Sequence, residues 1–357
     1  MSSSLSRRSL FAAAPLFAQA APKPLRLPRK IRIALIGLAG HTGEILGPLP
    51  QLPDVSLVAV SDSDAGRLQR FARRPQFSGV RRYDSYQRLL ENEELDVAAV
   101  CTDNGARAAA VLACLDHGLN VAAEKPLALS LDDLARIRRR LGETRLHLTM
   151  LLGMRFSPHY LALRDIVTRG EIGDVLQISA QKSYKLGDRP AWMRHRSSYG
   201  GTIPWIGIHM IDLMRWSSGR EFREVFSYAS HIDFPEIGDM ENVTGSLFHL
   251  DNQGVATLRM DYLRPATAPT HGDDRLRLAG TRGVVEYQAA TGLTLATDNS
   301  SPHRITDLPA ARQLFPEFLA SIYLSHPAPI STADIFRVTE VTLTAQLSAT
   351  QHKPLAC

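Results

Sequence analysis

Cysteine is scarce: three in 357 residues, at positions 101, 114 and 357. Three scattered thiols give no disulfide framework, so a packed core has to hold the fold. Cys101 and Cys114 lie among apolar residues and read as small core groups. The cysteines and the histidines His195 and His209 also lack the spacing of a metal-ligand set, so no metal is expected. Neither sign of charge is in strong excess. The formal net charge is +5, and the basic residues are scattered, which excludes the clustered positive surface that nucleic acid binding requires. No apolar run is long enough to cross a bilayer, so stable membrane insertion is excluded as well. Internal repeats and low-complexity tracts are lacking beyond the first 21 residues.

What is present is an ordinary globular composition, 44% apolar and 22% charged, on a chain long enough for two domains with separate cores. Residues 1–21 hold Arg7 and Arg8 and no acid; without them the net charge of +5 falls to +3. Ser6-Arg7-Arg8-Ser9-Leu10-Phe11 opens an apolar stretch that reaches Phe17, and Ala18-Gln19-Ala20 is a small-residue cleavage pattern. This order is expected of a twin-arginine export signal, which implies the corresponding export machinery as a partner and a periplasmic or otherwise exported protein. Residues 22–30, with three prolines and four basic residues, are expected to be a linker.

The chain is organised around residues 31–43, IRIALIGLAGHTG. An apolar, β-branched run ends in a glycine turn, and a short amphipathic segment follows. Strand, glycine turn and helix together present backbone N–H groups to a pyrophosphate. On the GxGxxG template the second glycine is Ala39 and the third is Thr42. A second strand over 55–61 delivers Asp62, placed to accept hydrogen bonds from a ribose 2′-hydroxyl. That carboxylate favours NAD; Arg67 close by leaves NADP open.

Strand and helix patterns alternate through residue 125: helices over 65–73, 83–92 and 107–117, and strands over 97–101 and 120–123. This predicts an α/β Rossmann domain, a parallel sheet covered by helices, over 31–150, with a helix capped by Ser130 near its end. After residue 150 come helices over 158–168 and 206–216. Strands over 175–184, 225–232, 243–249, 255–262, 276–278 and 284–287 alternate with period two. They predict an α+β domain with an open antiparallel sheet over 151–331, whose exposed face suits homo-oligomer formation. A closing helix lies within 332–357.

Glu124-Lys125-Pro126-Leu127-Ala128 resembles the EKP motif of the glucose–fructose oxidoreductase and inositol dehydrogenase family, Gfo/Idh/MocA. The resemblance extends through the glycine turn and Asp62, Met154-Arg155-Phe156-Ser157-Pro158, Gly200-Gly201, Gly207-Ile208-His209-Met210-Ile211-Asp212, and the LRLAGTRGVVE stretch at 276–286. It implies a nicotinamide cofactor bound by Gly37, Ala39, Gly40, His41, Thr42, Asp62, Thr102, Asn104, Glu124 and Lys125, and catalysis by Lys125 and His209. Two departures stand out. Asp103 and Arg107 replace the family's usual proline and histidine, and Trp205 stands where many members carry an aspartate four residues before the histidine.

The residues support the same chemistry. Lys125 leaves the C-terminal end of a sheet strand, where ligands bind in open α/β sheets, and a lysine beside a nicotinamide cation has the lowered proton affinity that general acid–base work needs. Asp212 shares a helix face with His209 and is placed to hold its tautomer or a neighbouring loop. The loop with Arg189, Trp192, Arg194, His195, Arg196 and Tyr199 is either a solvated basic segment or a substrate lid. Arg155, Trp192, Tyr199, Trp205 and Asp212 are the substrate-side candidates. The expected function is NAD(P)-dependent oxidoreduction of a hydroxyl on a sugar, polyol or cyclitol, with a tightly held, internally recycled cofactor. Two alternatives remain: a redox-neutral glycosidase that uses NAD transiently, and a non-catalytic carbohydrate-binding protein.

Overall fold

The computed structural model describes residues 24–357, so the expected export signal lies outside the described residues. Residues 24–30 are not the free linker expected from their prolines. Leu27 is buried, its N–H bonds the Asp54 carboxylate, and Arg29 pairs with Asp96 at 2.7 Å. These contacts fasten the segment to the first domain.

That domain runs β1 (Ile31–Ile36), α1 (Gly43–Leu46), β2 (Val55–Ser61), α2 (Ala65–Ala72), β3 (Arg81–Tyr83), α3 (Tyr86–Asn92), β4 (Val97–Val100), α4 (Asn104–Asp116), β5 (Asn120–Ala123), α5 (Leu131–Gly142) and β6 (Leu148–Met150). The six strands form one sheet in the order β3-β2-β1-β4-β5-β6, and every pairing is parallel. Helices cover both faces, which is why β4 is a continuous buried apolar run and β1 is apolar and buried except at Arg32, near its start. The strand order reverses at β1 and β4. The crevice outside their C-terminal ends is where this architecture takes its ligand.

The second domain contains α6 (Pro158–Thr168), β7 (Val175–Tyr184), α7 (Arg196–Tyr199), α8 (Ile208–Ser218), β8 (Phe222–Ser230), β9 (Val243–Leu250), β10 (Val255–Asp261), β11 (Gly272–Gly280), β12 (Gly283–Gln288), β13 (Gly292–Thr297) and β14 (Ser300–Ile305). The chain closes with α9 (Leu314–Tyr323), α10 (Thr332–Gln351) and β15 (Leu355–Ala356). The nine-stranded sheet is mostly antiparallel; β7 and β10 form its one parallel pair, because helices and two strands intervene between them. In β10 buried and exposed positions alternate; across the sheet one face is covered by α6 on β12 and β13, α8 on β7 and β11 and α10 on β8, and the other faces solvent.

Each domain has its own apolar core, and α10 contributes to both. Ile335, Phe336 and Val338 pack with the parallel sheet, while Val341, Ala345 and Ala349 pack with the antiparallel one. The last residues return to that sheet, β15 pairing with β8. A helix shared by two cores ties the domains together and fixes the cleft between them.

Candidate active site

The glycine turn closes against the end of β4. Gly37 has φ +84°, and a Cβ there would lie 2.5 Å from the Cys101 carbonyl oxygen and the Thr102 nitrogen, so only glycine fits. The Ala39 N–H donates to that same Cys101 carbonyl at 2.9 Å. Asp62 accepts from the Leu38 N–H at 2.7 Å and from the Asp64 N–H at 2.8 Å, and it pairs with Arg67 at 3.3 Å. It therefore shapes the turn as well as lining the crevice. Gly37, Asp62, Arg67, Tyr86 and Thr102 border a cavity of about 300 Å³. A glycine-only approach, a carboxylate at the end of the second strand and a cavity between them fit the adenosine side of a dinucleotide.

Beyond the turn, Glu124 and Lys125 emerge from β5 into the domain boundary, and both are buried. The Lys125 Nζ donates to the Trp205 carbonyl at 2.5 Å and sits 3.3 Å from the centre of the Trp205 indole. Burial pulls its pKa down to about 7; Arg107 and Lys182 push the same way, and Glu124 opposes them. Lys125 is thus poised to hold or release a proton near neutral pH. Glu124 Oε1 bonds the His41 Nδ1 at 2.6 Å, and its Oε2 has no partner. Although burial pushes the Glu124 pKa up, His41, Lys125 and Arg107 outweigh it and keep the carboxyl below the ordinary carboxylate range. Gly40 makes this contact feasible, because a Cβ there would lie 2.7 Å from Glu124 Oε1.

His209 arrives from α8 with its Nδ1 unpartnered. Burial, helped by Lys125, Lys182 and His41, drives its pKa well below the usual histidine value, so the ring is neutral. The His41 ring lies edge-on to His209 at 5.9 Å and stacks near Trp205 at 6.0 Å. Chain segments far apart in sequence thus converge on one cluster: His41, Glu124, Lys125, Trp205 and His209. Thr42 lies one step along, where α1 begins, and Thr102 lines the adenosine cavity.

Other expected site residues are held elsewhere. Asn104 does not face the cofactor crevice: it donates to the Tyr199 carbonyl and accepts from Arg107, both inside the domain contact. Asp212 does not orient His209. Both its oxygens are taken by Arg155, at 2.5 and 2.8 Å, and Arg155 also reaches Asp334 on α10. Arg155 and Asp212 are therefore a buried strut, not substrate contacts. The hydroxyl of Tyr199 bonds that of Tyr262 at 2.6 Å, and Arg189 is buried over the Tyr262 ring at 3.8 Å, so this part of the loop is an anchored aromatic cluster. Trp192 packs edge-on to Trp205 at 5.6 Å and supports it from behind.

Three further groups belong to this cluster, and sequence pattern alone does not single them out as site residues. Glu44, on the first turn of α1, lies close to His41, and burial raises its pKa to about 7; a carboxylate directly after the glycine turn was its signal. Lys182 is a fully buried lysine on β7, bonded to Asp274 at 2.9 Å and acting on both Lys125 and His209. Its signal was a lysine at an inward strand position. Arg107, visible in sequence only as a departure, is fully buried without a carboxylate partner and bonds the Pro126 and Thr102 carbonyls. It fixes the loop that carries Lys125.

Fold and site together define an NAD(P)-dependent oxidoreductase with two domains. A family model for oxidoreductases with an NAD-binding Rossmann fold matches residues 31–151, and a GFO/IDH/MocA C-terminal domain model matches residues 160–286. A solved Thermotoga maritima protein classed as an oxidoreductase is 31% identical and superposes with a TM-score of 0.86, covering 92% of this chain and all of its own. The myo-inositol 2-dehydrogenase of Thermotoga maritima is 29% identical over 260 residues, 71% of this chain and 74% of its own length. A glycosyl hydrolase family 109 protein of Saccharopolyspora erythraea is 23% identical over 316 residues, 82% of this chain and 64% of its own. The chain belongs to the Gfo/Idh/MocA family, and its cofactor is NAD.

Proposed function

We propose that the protein oxidises or reduces a hydroxyl on a sugar, polyol or cyclitol, with Lys125 and His209 meeting the reacting hydroxyl. The observation that carries this reading is the buried Lys125, whose pKa is drawn down to about 7 at the end of β5, beside neutral His209 and the dinucleotide turn. Bound NAD supplies a hydride acceptor. Lys125 as a neutral amine takes the hydroxyl proton, and His209 accepts or donates a hydrogen bond to the same oxygen. Burial of both groups keeps bulk water from competing. Trp205 clamps the lysine through its carbonyl and ring and walls the site with an apolar surface against which a sugar ring packs. The kinship with an inositol dehydrogenase supports the substrate class.

A redox-neutral glycosidase is the second reading. It is favoured by the likeness to a glycosyl hydrolase family 109 protein and by Trp205 in the place of the usual aspartate. The export pattern around Arg7 and Arg8 supports a cofactor kept bound through many cycles, since an exported enzyme has no expected NAD pool. The test is a panel of polyols, cyclitols, aldoses and aryl glycosides, followed by product analysis and reduced-nicotinamide absorbance. Oxidation of a free polyol or sugar supports the first reading. Cleavage of glycosides with no oxidation of free sugars would replace it with the second.

A further inference from the structure

A buried base that takes a proton in every cycle has to hand it on. Lys125, Glu124 and His209 are all closed off from water, yet the His41 side chain is 45% exposed. His41 is also oriented. Its Nδ1 faces the buried Glu124 carboxylate at 2.6 Å, so that nitrogen carries the hydrogen and Nε2 is left as the free acceptor. The ring lies 6.0 Å from that of Trp205, which holds Lys125, and 5.9 Å from that of His209. A carboxylate behind an imidazole is the arrangement that fixes a tautomer and steadies the charged ring. The space for it exists only because position 40 is glycine.

We propose that His41, positioned by Glu124, is the relay that moves the reaction's proton between Lys125 and solvent. The proposal rests on the oxidoreductase reading of the same site. In the oxidising direction the carbon–hydrogen bond breaks and its electron pair leaves with the hydride to the oxidised nicotinamide. The hydroxyl proton passes to the neutral Lys125 amine. The resulting ammonium gives a proton to His41 Nε2, and the imidazolium releases it to water, restoring both bases. The reverse direction runs the same transfers backwards. The titratable groups around His41 are Glu44 from α1, Glu124 from the loop after β5 and His209 from α8, and Lys125 acts on the same Glu44 and His209. In this relay Glu124, which is closed off from solvent, acts through His41, so its role is positioning.

The first readout needs no turnover. Nitrogen NMR of the purified protein with His41→Gln as the assignment control is expected to show His41 protonated on Nδ1 and bare on Nε2, with the preference lost in Glu124→Gln. The opposite tautomer in the parent overturns the relay. The second readout is buffer dependence. With NAD held at saturation, His41→Ala is expected to lose on the order of 10²-fold in turnover at low buffer. Added imidazole is expected to restore much of that loss. A variant that turns over like the parent, or one that imidazole does not help, overturns the relay while leaving the oxidoreductase reading intact. A parent that oxidises no hydroxyl compound overturns that reading, and the tautomer then decides His41's arrangement alone.

Discussion

Lys125 carries the sharpest chemical expectation. Lys125→Met is expected to cost about 10²–10⁴-fold in turnover while NAD still binds, checked by steady-state rates and cofactor titration in parallel. Its pKa of about 7 lies below the ordinary lysine value of 10.5, because burial disfavours the charge. The unfolded chain therefore holds more protons between those two values, and stability rises with pH across that window. Lys125→Met is expected to flatten the rise, which denaturant titrations at several pH values would show. In the oxidising direction the neutral amine is the working form, so the parent's rate is expected to climb through about pH 7. Asp62 has two duties, the turn and the crevice. Asp62→Asn is expected to weaken NAD by about 1.5–3 kcal/mol and to narrow the preference over NADP by freeing Arg67, as titration of both cofactors would reveal. At this scale the sequence was legible where a motif sits on a strand end, as with Lys125 and Asp62. It was misleading where spacing alone suggested a partner. Asp212 lies one helical turn from His209, but a guanidinium arriving from outside the helix captures it.

Elements were legible in proportion to their length and apolar content. The cores of β1, β2, β5, β7 and α6 stand where periodicity predicts them, since each buries a recognisable face. The strand β3 (Arg-Arg-Tyr) escaped because it is a three-residue edge held by backbone pairing with β2, with no apolar signature. The polar β14 escaped for the same reason, being the last strand on its sheet edge. The helix expected over 206–216 begins earlier, with a wide π turn at Ile203–Gly207 that places the Trp205 carbonyl over Lys125; a proline at 204 concealed it. Two substitutions probe this level. Gly37→Ala is expected to lower stability by about 1–3 kcal/mol and to abolish NAD binding, because the new Cβ meets the Cys101 and Thr102 backbone at a left-handed φ. Thermal unfolding and cofactor titration check both effects. Arg155→Ala leaves Asp212 buried and uncompensated between α8 and α10, and is expected to cost about 3–5 kcal/mol in chemical denaturation.

The molecule as a whole is two cores joined by α10 around a cleft, with a proposed export signal ahead of it. Replacing Arg7 and Arg8 with lysine is expected to trap the precursor in the cytoplasm, as fractionation would show; unchanged export would contradict the twin-arginine route. Two-domain organisation was legible because alternating strands and helices give way to closely spaced strands after residue 150. The shared closing helix was not, because no local pattern reveals that one helix supplies residues to two different cores. The central claim is redox chemistry on a hydroxyl by a cofactor the protein keeps. The most direct measurement is turnover of polyols and sugars, each paired with an aldose or ketose as hydride acceptor, by dialysed protein without added NAD, with reduced-nicotinamide absorbance followed alongside both products. Many turnovers per protein and no net accumulation of NADH are expected. Strict dependence on added NAD, with one NADH released per product, would contradict the retained cofactor, and no redox change with any hydroxyl substrate would contradict the chemistry itself.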